Sequence, residues 1–287
     1  MAIAVFLLIG SLLAVWGFLI EPNRLIVNHY ELKLKKWSPQ LNGFKIVAIS
    51  DIHAGSNFIN EEKIRRIVAE ANAQNPDLIV LLGDYVAPVF YDRRKLKMPM
   101  SVVAENLREL RAKYGVFAVL GNTDEAFGTE EVRSELGKVG IKVLSNERAT
   151  VNVNGETLCL LGMKDKMISG DWQFISGALK KVLAGENSNE KILVLVYNPD
   201  YLRVITGGFS ISDNISLVLA GHTHGGQVRF PSVGAPVVPS EYGQKYAAGY
   251  IRDAETDMFV TTGIGTSIIP VRFGVPPEIA ILTLCAE

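Results

Sequence analysis

The chain opens on an unbroken apolar run, MAIAVFLLIGSLLAVWGFLI at 1–20, without one charged side chain. About 20 such residues suffice for a helix to cross a bilayer. No Lys or Arg precedes the run, and it lacks the basic start and small-residue cleavage site of an export signal, so it reads as a retained anchor over 1–22. Beyond Pro22 the pattern changes to short apolar stretches, assigned to one domain over 23–287. Leu25–Leu34 alternates as a first strand and Lys35–Gly43 is a polar link. From there Phe44–Ser50, Leu78–Leu82 and Val116–Leu120 read as strands, and amphipathic stretches near Glu61–Ala73, Val102–Tyr114 and Glu130–Val139 read as helices between and after them. The later half is richer in strands: Ala149–Val153, Thr157–Leu161, Ile192–Val196, Leu217–Ala220, Gln227–Phe230, Met258–Thr262 and Ile279–Leu284. A βαβ rhythm followed by a strand-rich half predicts an α/β fold with a mixed, two-sheet core covered by helices.

Composition narrows the function. With 287 residues, 48% hydrophobic and 21% charged, the chain has material for a large core. Lys+Arg 29 against Asp+Glu 30 gives a net charge of −1, so there is no basic field for nucleic acid, and none is expected as a partner. Arg24, Lys33, Lys35 and Lys36 all follow the apolar run, and the positive-inside tendency therefore puts the large domain in the cytoplasm, on a cell-membrane anchor. Cys159 and Cys285 are far apart and unpaired in spacing, which suggests neither a disulfide nor a thiolate zinc site. Any metal must be held by His, Asp, Glu or Asn.

The chemistry-bearing residues come directly after the apolar runs. Asp51-Ile52-His53, Gly83-Asp84, Gly121-Asn122-Thr123-Asp124, Tyr197-Asn198-Pro199-Asp200 and Gly221-His222-Thr223-His224-Gly225-Gly226 each sit just past a strand, where segments distant in sequence converge in open α/β folds. Carboxylates, an amide and imidazoles suit Mn²⁺, Fe²⁺ or Zn²⁺. In Asp51-x-His53 and His222-x-His224 the paired side chains would share a face if extended, and Gly83, Gly121 and Gly221 would let the chain turn sharply as it leaves a strand. A lone Gly-Asp is more often a turn than a ligand. Three of the four histidines nevertheless fall in these clusters, while His29 lies in the first strand and reads as structural. Asp51, His53, Asp84, His222 and His224 are thus candidate ligands, with Asn122 beside them.

In this order the motifs resemble the calcineurin-like metallophosphoesterase family, from about Asn23 to the end. Gly-His-Thr-His-Gly-Gly-Gln-Val at 221–228 and Val-Pro-Pro-Glu-Ile at 275–279, with Glu21-Pro22 after the anchor, are most similar to its bacterial membrane-tethered branch. The resemblance implies a two-sheet β-sandwich flanked by helices and two divalent ions. Asp51, His53, Asp84 and His224 would hold the first ion. Asp84, Asn122 and His222 would hold the second, and Asn122, Asp124 and His222 would form the catalytic set. Two positions depart from the family pattern. Thr123 stands where the family has a proton-donating His, and a Thr hydroxyl does not ionise near neutral pH. Tyr197 stands where the family has a His ligand, and a strand-end tyrosine and a metal ligand weigh evenly there. The second ion site is accordingly expected to be the weaker.

The resulting expectation is a metal-dependent hydrolase of phosphodiester or pyrophosphate bonds. Its substrate would be a phosphorylated small molecule or a lipid-linked nucleotide such as UDP-diacylglucosamine. The competing expectation is a catalytically impaired member of the fold that binds a phosphorylated lipid or nucleotide in a regulatory role. There is no Gly-x-Ser-x-Gly elbow, Gly-x-x-x-x-Gly-Lys loop or His-Glu-x-x-His, so other hydrolase classes lack a motif. Arg272, in the Gly-rich stretch Gly263–Gly274, is either a phosphate contact or a surface or fold-stabilising residue.

Overall fold

A computed structural model describes residues 2–89, 92–165, 172–184, 190–206, 211–253 and 255–287. Its first sheet holds β1 (Ile26–Leu34), β2 (Phe44–Ile49), β3 (Leu78–Leu81), β6 (Val116–Ala118), β7 (Lys142–Val143) and β14 (Glu278–Ala286), in the order β1-β14-β2-β3-β6-β7. The second holds β8 (Glu147–Val153), β9 (Glu156–Gly162), β10 (Lys191–Leu195), β11 (Ile215–Ala220), β12 (Gly249–Asp253) and β13 (Thr256–Val260), in the order β12-β13-β11-β10-β9-β8. A small hairpin, β4 (Pro88–Val89) with β5 (Asp92–Leu96), stands apart. Strands β2, β3, β6 and β7 run parallel, as do β9, β10, β11 and β13. Both parallel sets discharge their carboxyl ends at one end of the sandwich.

Side-chain alternation explains the layering. Phe44, Ile46 and Ala48 of β2 and Leu78 and Val80 of β3 face Leu193 and Leu195 of β10, Leu217 and Leu219 of β11 and Phe259 of β13 between the sheets. The intervening residues Val47, Ile49, Ile79 and Leu81 point outward under helices α2 (Glu61–Ala73), α3 (Met100–Leu107) and α4 (Asn122–Lys138). On the other sheet Ile192, Val194 and Val218 point outward against Leu179 and Leu183 of α5 (Trp172–Leu183) and Leu202 and Ile205 of α6 (Leu202–Thr206). Strands buried on both faces read as continuous apolar runs, which is why they stand out in the sequence.

Three elements differ from expectation. The helix expected near Val102–Tyr114 begins at Met100, behind Pro99, and stops at Leu107. Beyond it Asn72 captures the Arg111 amide and the Glu109 carbonyl, while Lys113 and Tyr114 donate to Pro76 and Asp77, so the backbone is tied to the end of α2 and the loop after it. Helix α4 begins eight residues earlier than expected, at Asn122, because the Asp124 carboxylate accepts the Gly121 amide; a break at Gly128 separates this turn from the amphipathic part. Gln227–Phe230 forms no strand, only isolated bridges at Val228 and Phe230, since Gly225, Gly226 and Gln227 all have positive φ. Helix α1 (Ala2–Val15) continues without a break through a π turn (Trp16–Ile20) and a 3-10 turn (Glu21–Asn23), giving a 22-residue helical stretch, exposed except near its carboxyl end. Neither cysteine is in a disulfide.

Candidate metal centre

Every predicted cluster lies where its parallel strand ends: Asp51 and His53 after β2, Asp84 after β3, Asn122–Asp124 after β6, Tyr197 after β10, His222 and His224 after β11. The two sheets pinch together at this end. A side chain at Gly121 would collide with Asp84, and one at Gly83, which has φ +99°, would meet both the Gly121 amide and the Tyr197 ring. Gly121 itself is extended (φ −94°), so its role is close approach and not the sharp turn expected of it. Asp51, His53, Asp84, His222 and His224 all occupy the left-handed region, with φ between 46° and 72°. The two Asp/His-x-His pairs are thus on strained turns and not on extended chain, at a cost of about 1 kcal/mol or more per residue that the surrounding packing must offset.

Asp51, His53 and His224 are buried with one ligand atom each inside a 4.8 Å cluster. His53 Nε2 lies 3.3 Å from His224 Nε2, and Asp51 Oδ1 lies 3.4 Å from the latter. Two imidazole nitrogens turned toward each other beside a carboxylate make a poor hydrogen-bonded arrangement and a good cation cage. On its other side the His224 ring meets Arg272, whose Nη2 lies 3.3 Å from Nδ1 and donates to Gly265 O at 2.6 Å. Burial, then the charges of His53 and Arg272, hold the His224 pKa well below the usual histidine range. The donor set therefore fits a divalent ion.

Asp84 stands beside this trio, its Oδ2 3.6 Å from His53 Nε2. That oxygen accepts the Tyr197 hydroxyl at 2.6 Å and the Thr123 hydroxyl at 2.7 Å, while Oδ1 accepts the Thr123 amide at 2.9 Å. Tyr197 Oη also reaches Asp51 Oδ1 at 3.3 Å. Burial and the two carboxylates push the Tyr197 phenol well above its ordinary range, so it is a neutral donor. The half-buried His222 packs its ring edge-on against Tyr197 at 4.8 Å, and its backbone amide donates to Asp51 Oδ2. Asn122 is exposed at the start of α4.

Asp124 is engaged by backbone amides. Its carboxylate is fully buried and accepts four backbone amides, from Gly121, Asp84, Tyr85 and Val86. Burial and neighbouring Asp84 push its pKa up, and the amides oppose this. The carboxylate holds two strand-end loops in register. Arg272 is likewise fully buried, donating to the carbonyls of Thr262, Gly263, Gly265 and Val275, which removes it from the surface and leaves the fold-stabilising role. Ser50, whose hydroxyl donates to Asp51 Oδ2 at 2.6 Å, has no sequence signal beyond adjacency. His29 is exposed on β1.

Comparison with known proteins decides the family. The calcineurin-like phosphoesterase model matches residues 44–226, which contain every one of these clusters. The chain belongs to this family of phosphoric ester hydrolases. It is 34% identical over 244 residues to the phosphodiesterase YaeI of Escherichia coli, covering 84% of this chain and 82% of that one. It is 29% identical over 283 residues to the uncharacterized metallophosphoesterase YkuE of Bacillus subtilis, covering 96% and 92%. A transmembrane protein with a metallophosphoesterase domain from Danio rerio is 29% identical over 285 residues, covering 97% and 61%. Divalent metal ions follow from the family together with the donor cluster.

Proposed function

We propose that the chain is a membrane-anchored hydrolase of phosphodiester or pyrophosphate bonds whose leaving group is already a weak base. The observation that carries this is the pairing of the buried Asp51, His53 and His224 donor cluster with hydroxyls, not imidazoles, at Thr123 and Tyr197. Asp51, His53, His224 and Asp84 would hold one divalent ion tightly. Asp84, Asn122 and His222 would hold a second more weakly, because the Tyr197 hydroxyl already engages the Asp84 oxygen that would be shared. An ion held here supplies charge neutralisation for the phosphoryl oxygens and an acidified water.

The rest falls to the protein. Tyr197 and Thr123 fix the Asp84 carboxylate, and His222 and Asn122, the less buried members, meet the substrate phosphoryl oxygens. Asp124 acts as a positioning residue, since its carboxylate is taken up by amides. With Thr123 unable to protonate a departing alkoxide, substrates must leave as aryl oxide or phosphate. A UDP-diacylglucosamine-type pyrophosphate at the membrane surface meets that requirement, with α1 as the anchor and the domain in the cytoplasm. The test compares an aryl with an alkyl phosphodiester, alongside metal analysis of the purified full chain. We expect bound divalent metal and hydrolysis of the aryl ester, with Thr123→His raising alkyl-ester turnover by roughly 10²-fold. Absence of both metal and turnover in the unmodified protein would sink the reading.

A further inference from the structure

The loops that complete the metal centre also carry a cluster of apolar side chains that the fold does not cover. Phe230, Val233, Ile268 and Ile269 are exposed, and Ile268 wholly so, at a φ of +61° that a β-branched residue rarely adopts. Chance exposure of single hydrophobic residues needs no account, but these four lie on two loops that are joined to each other. Gln227 ties the two loops together, its side chain bonding Ser267 N, Ser267 O and Ile269 O. The Phe230 ring packs on Phe273 with centroids 5.8 Å apart.

The same segment receives the N-terminal helix. The Arg272 amide donates to the Gly17 carbonyl at 2.9 Å, and a Cβ at Gly17 would lie 3.3 Å from Val271 and 3.7 Å from Phe273. Gly17 is the one buried residue of Trp16–Ile20. It lies three residues inside the end of the apolar run, so the contact sits roughly 4–5 Å deep, measured along the helix, from the point where polar sequence begins. Trp16 and Arg24 mark that boundary, the guanidinium lying 5.8 Å from the indole centroid, as aromatic and basic residues do at a bilayer surface. Exposed Arg229, whose amide bonds Phe273 O, adds a second cation beside the rim.

We infer that the rim formed by Phe230, Val233, Ile268 and Ile269 is seated in the interfacial layer of the bilayer that α1 enters, with lipid as its partner. The inference rests on the reading of α1 as a bilayer-spanning helix. It goes further, because an anchor alone leaves the catalytic domain free to tumble on a tether, whereas a second contact fixes its orientation. Arg272 then joins membrane and chemistry: its backbone holds Gly17, and its guanidinium lies 3.3 Å from His224 Nδ1. The cage is thereby held at a set height above the lipid, with its opening next to the headgroups.

The test is site-directed spin labelling of the full chain in vesicles of phosphatidylcholine with phosphatidylglycerol. Cys285→Ser removes the part-exposed thiol, and Cys159 is buried. Labels go at Leu12→Cys, Ile268→Cys and Glu255→Cys, the last preceding β13 at the end of the sandwich opposite the metal centre. We expect the Leu12 and Ile268 labels to collide with dissolved oxygen several-fold more, relative to an aqueous nickel chelate, than the Glu255 label does. An Ile268 label that behaves like Glu255 while Leu12 stays in lipid overturns the seated rim and spares the anchor. A Leu12 label in water overturns both.

Discussion

At the scale of single residues, the site is assembled from backbone conformations that the residues themselves resist. Five candidate ligands sit at positive φ, a conformation that Asp and His adopt more readily than most side chains but still at a cost. Asp124 is one residue that makes this tolerable, because its carboxylate satisfies the amides of Gly121, Asp84, Tyr85 and Val86 inside the turn that carries Asp84. Asp124→Ala should therefore orphan four buried donors and cost about 3 kcal/mol or more, read as a lowered denaturation midpoint together with weaker metal binding. A stability change under about 1 kcal/mol would mean that water replaces the carboxylate and that the turn holds itself. Asp124 and the candidate ligands stood out in the sequence because their residue types are unusual at strand ends. That the Asp124 carboxylate accepts four backbone amides was not visible, since nothing in the local sequence shows which groups fold against it.

At the scale of elements, the segment after β9 brings a further carboxylate toward the site. Asp165 is buried with one oxygen lacking a hydrogen-bond partner. Burial, then the charges of Glu125 and Asp84, push its pKa up to about 7. Between the unfolded value near 4 and about 7 the folded chain binds the extra proton, so this group's contribution to stability is present at low pH and lost as pH rises through 7. In chelator-treated protein, Asp165→Asn should gain up to about 4 kcal/mol relative to the unmodified chain at pH 8 and little at pH 4. Equal offsets at both pH values would contradict the assignment. The strands themselves were legible from their continuous apolar runs. Short pieces such as β7, with its two residues, and the mostly half-buried β12 were not, because neighbours in the sheet and not intrinsic pattern make them strands.

At the scale of the whole molecule, the metal centre is also a joint between the two sheets. Asp51, His53 and Asp84 belong to strand ends of one sheet, and Tyr197, His222 and His224 to those of the other. Holding an ion between them ties the halves of the sandwich together, and stripping it leaves Asp51 and Asp84 without their countercharge. Chelation should lower the thermal midpoint by roughly 5–10 °C at a hundredfold excess of free ion over its dissociation constant, with recovery on adding Mn²⁺ or Zn²⁺. An unchanged midpoint would place the ion outside the sheet junction.

The sequence by itself determined the α/β class, the apolar leading helix, and the candidate donor groups gathered at the strand ends, because burial pattern and side-chain chemistry are local properties of the chain. Tertiary structure alone decided which of those groups meet. It put His224 and not His222 against His53, aimed the hydroxyls of Tyr197 and Thr123 at Asp84, and sank Arg272 beneath His224 while its backbone met Gly17. Those outcomes depend on how two sheets close on four strand-end glycines, Gly83, Gly121, Gly221 and Gly263. Distances across that closure are set by packing between segments up to about two hundred residues apart, where no local pattern can reach.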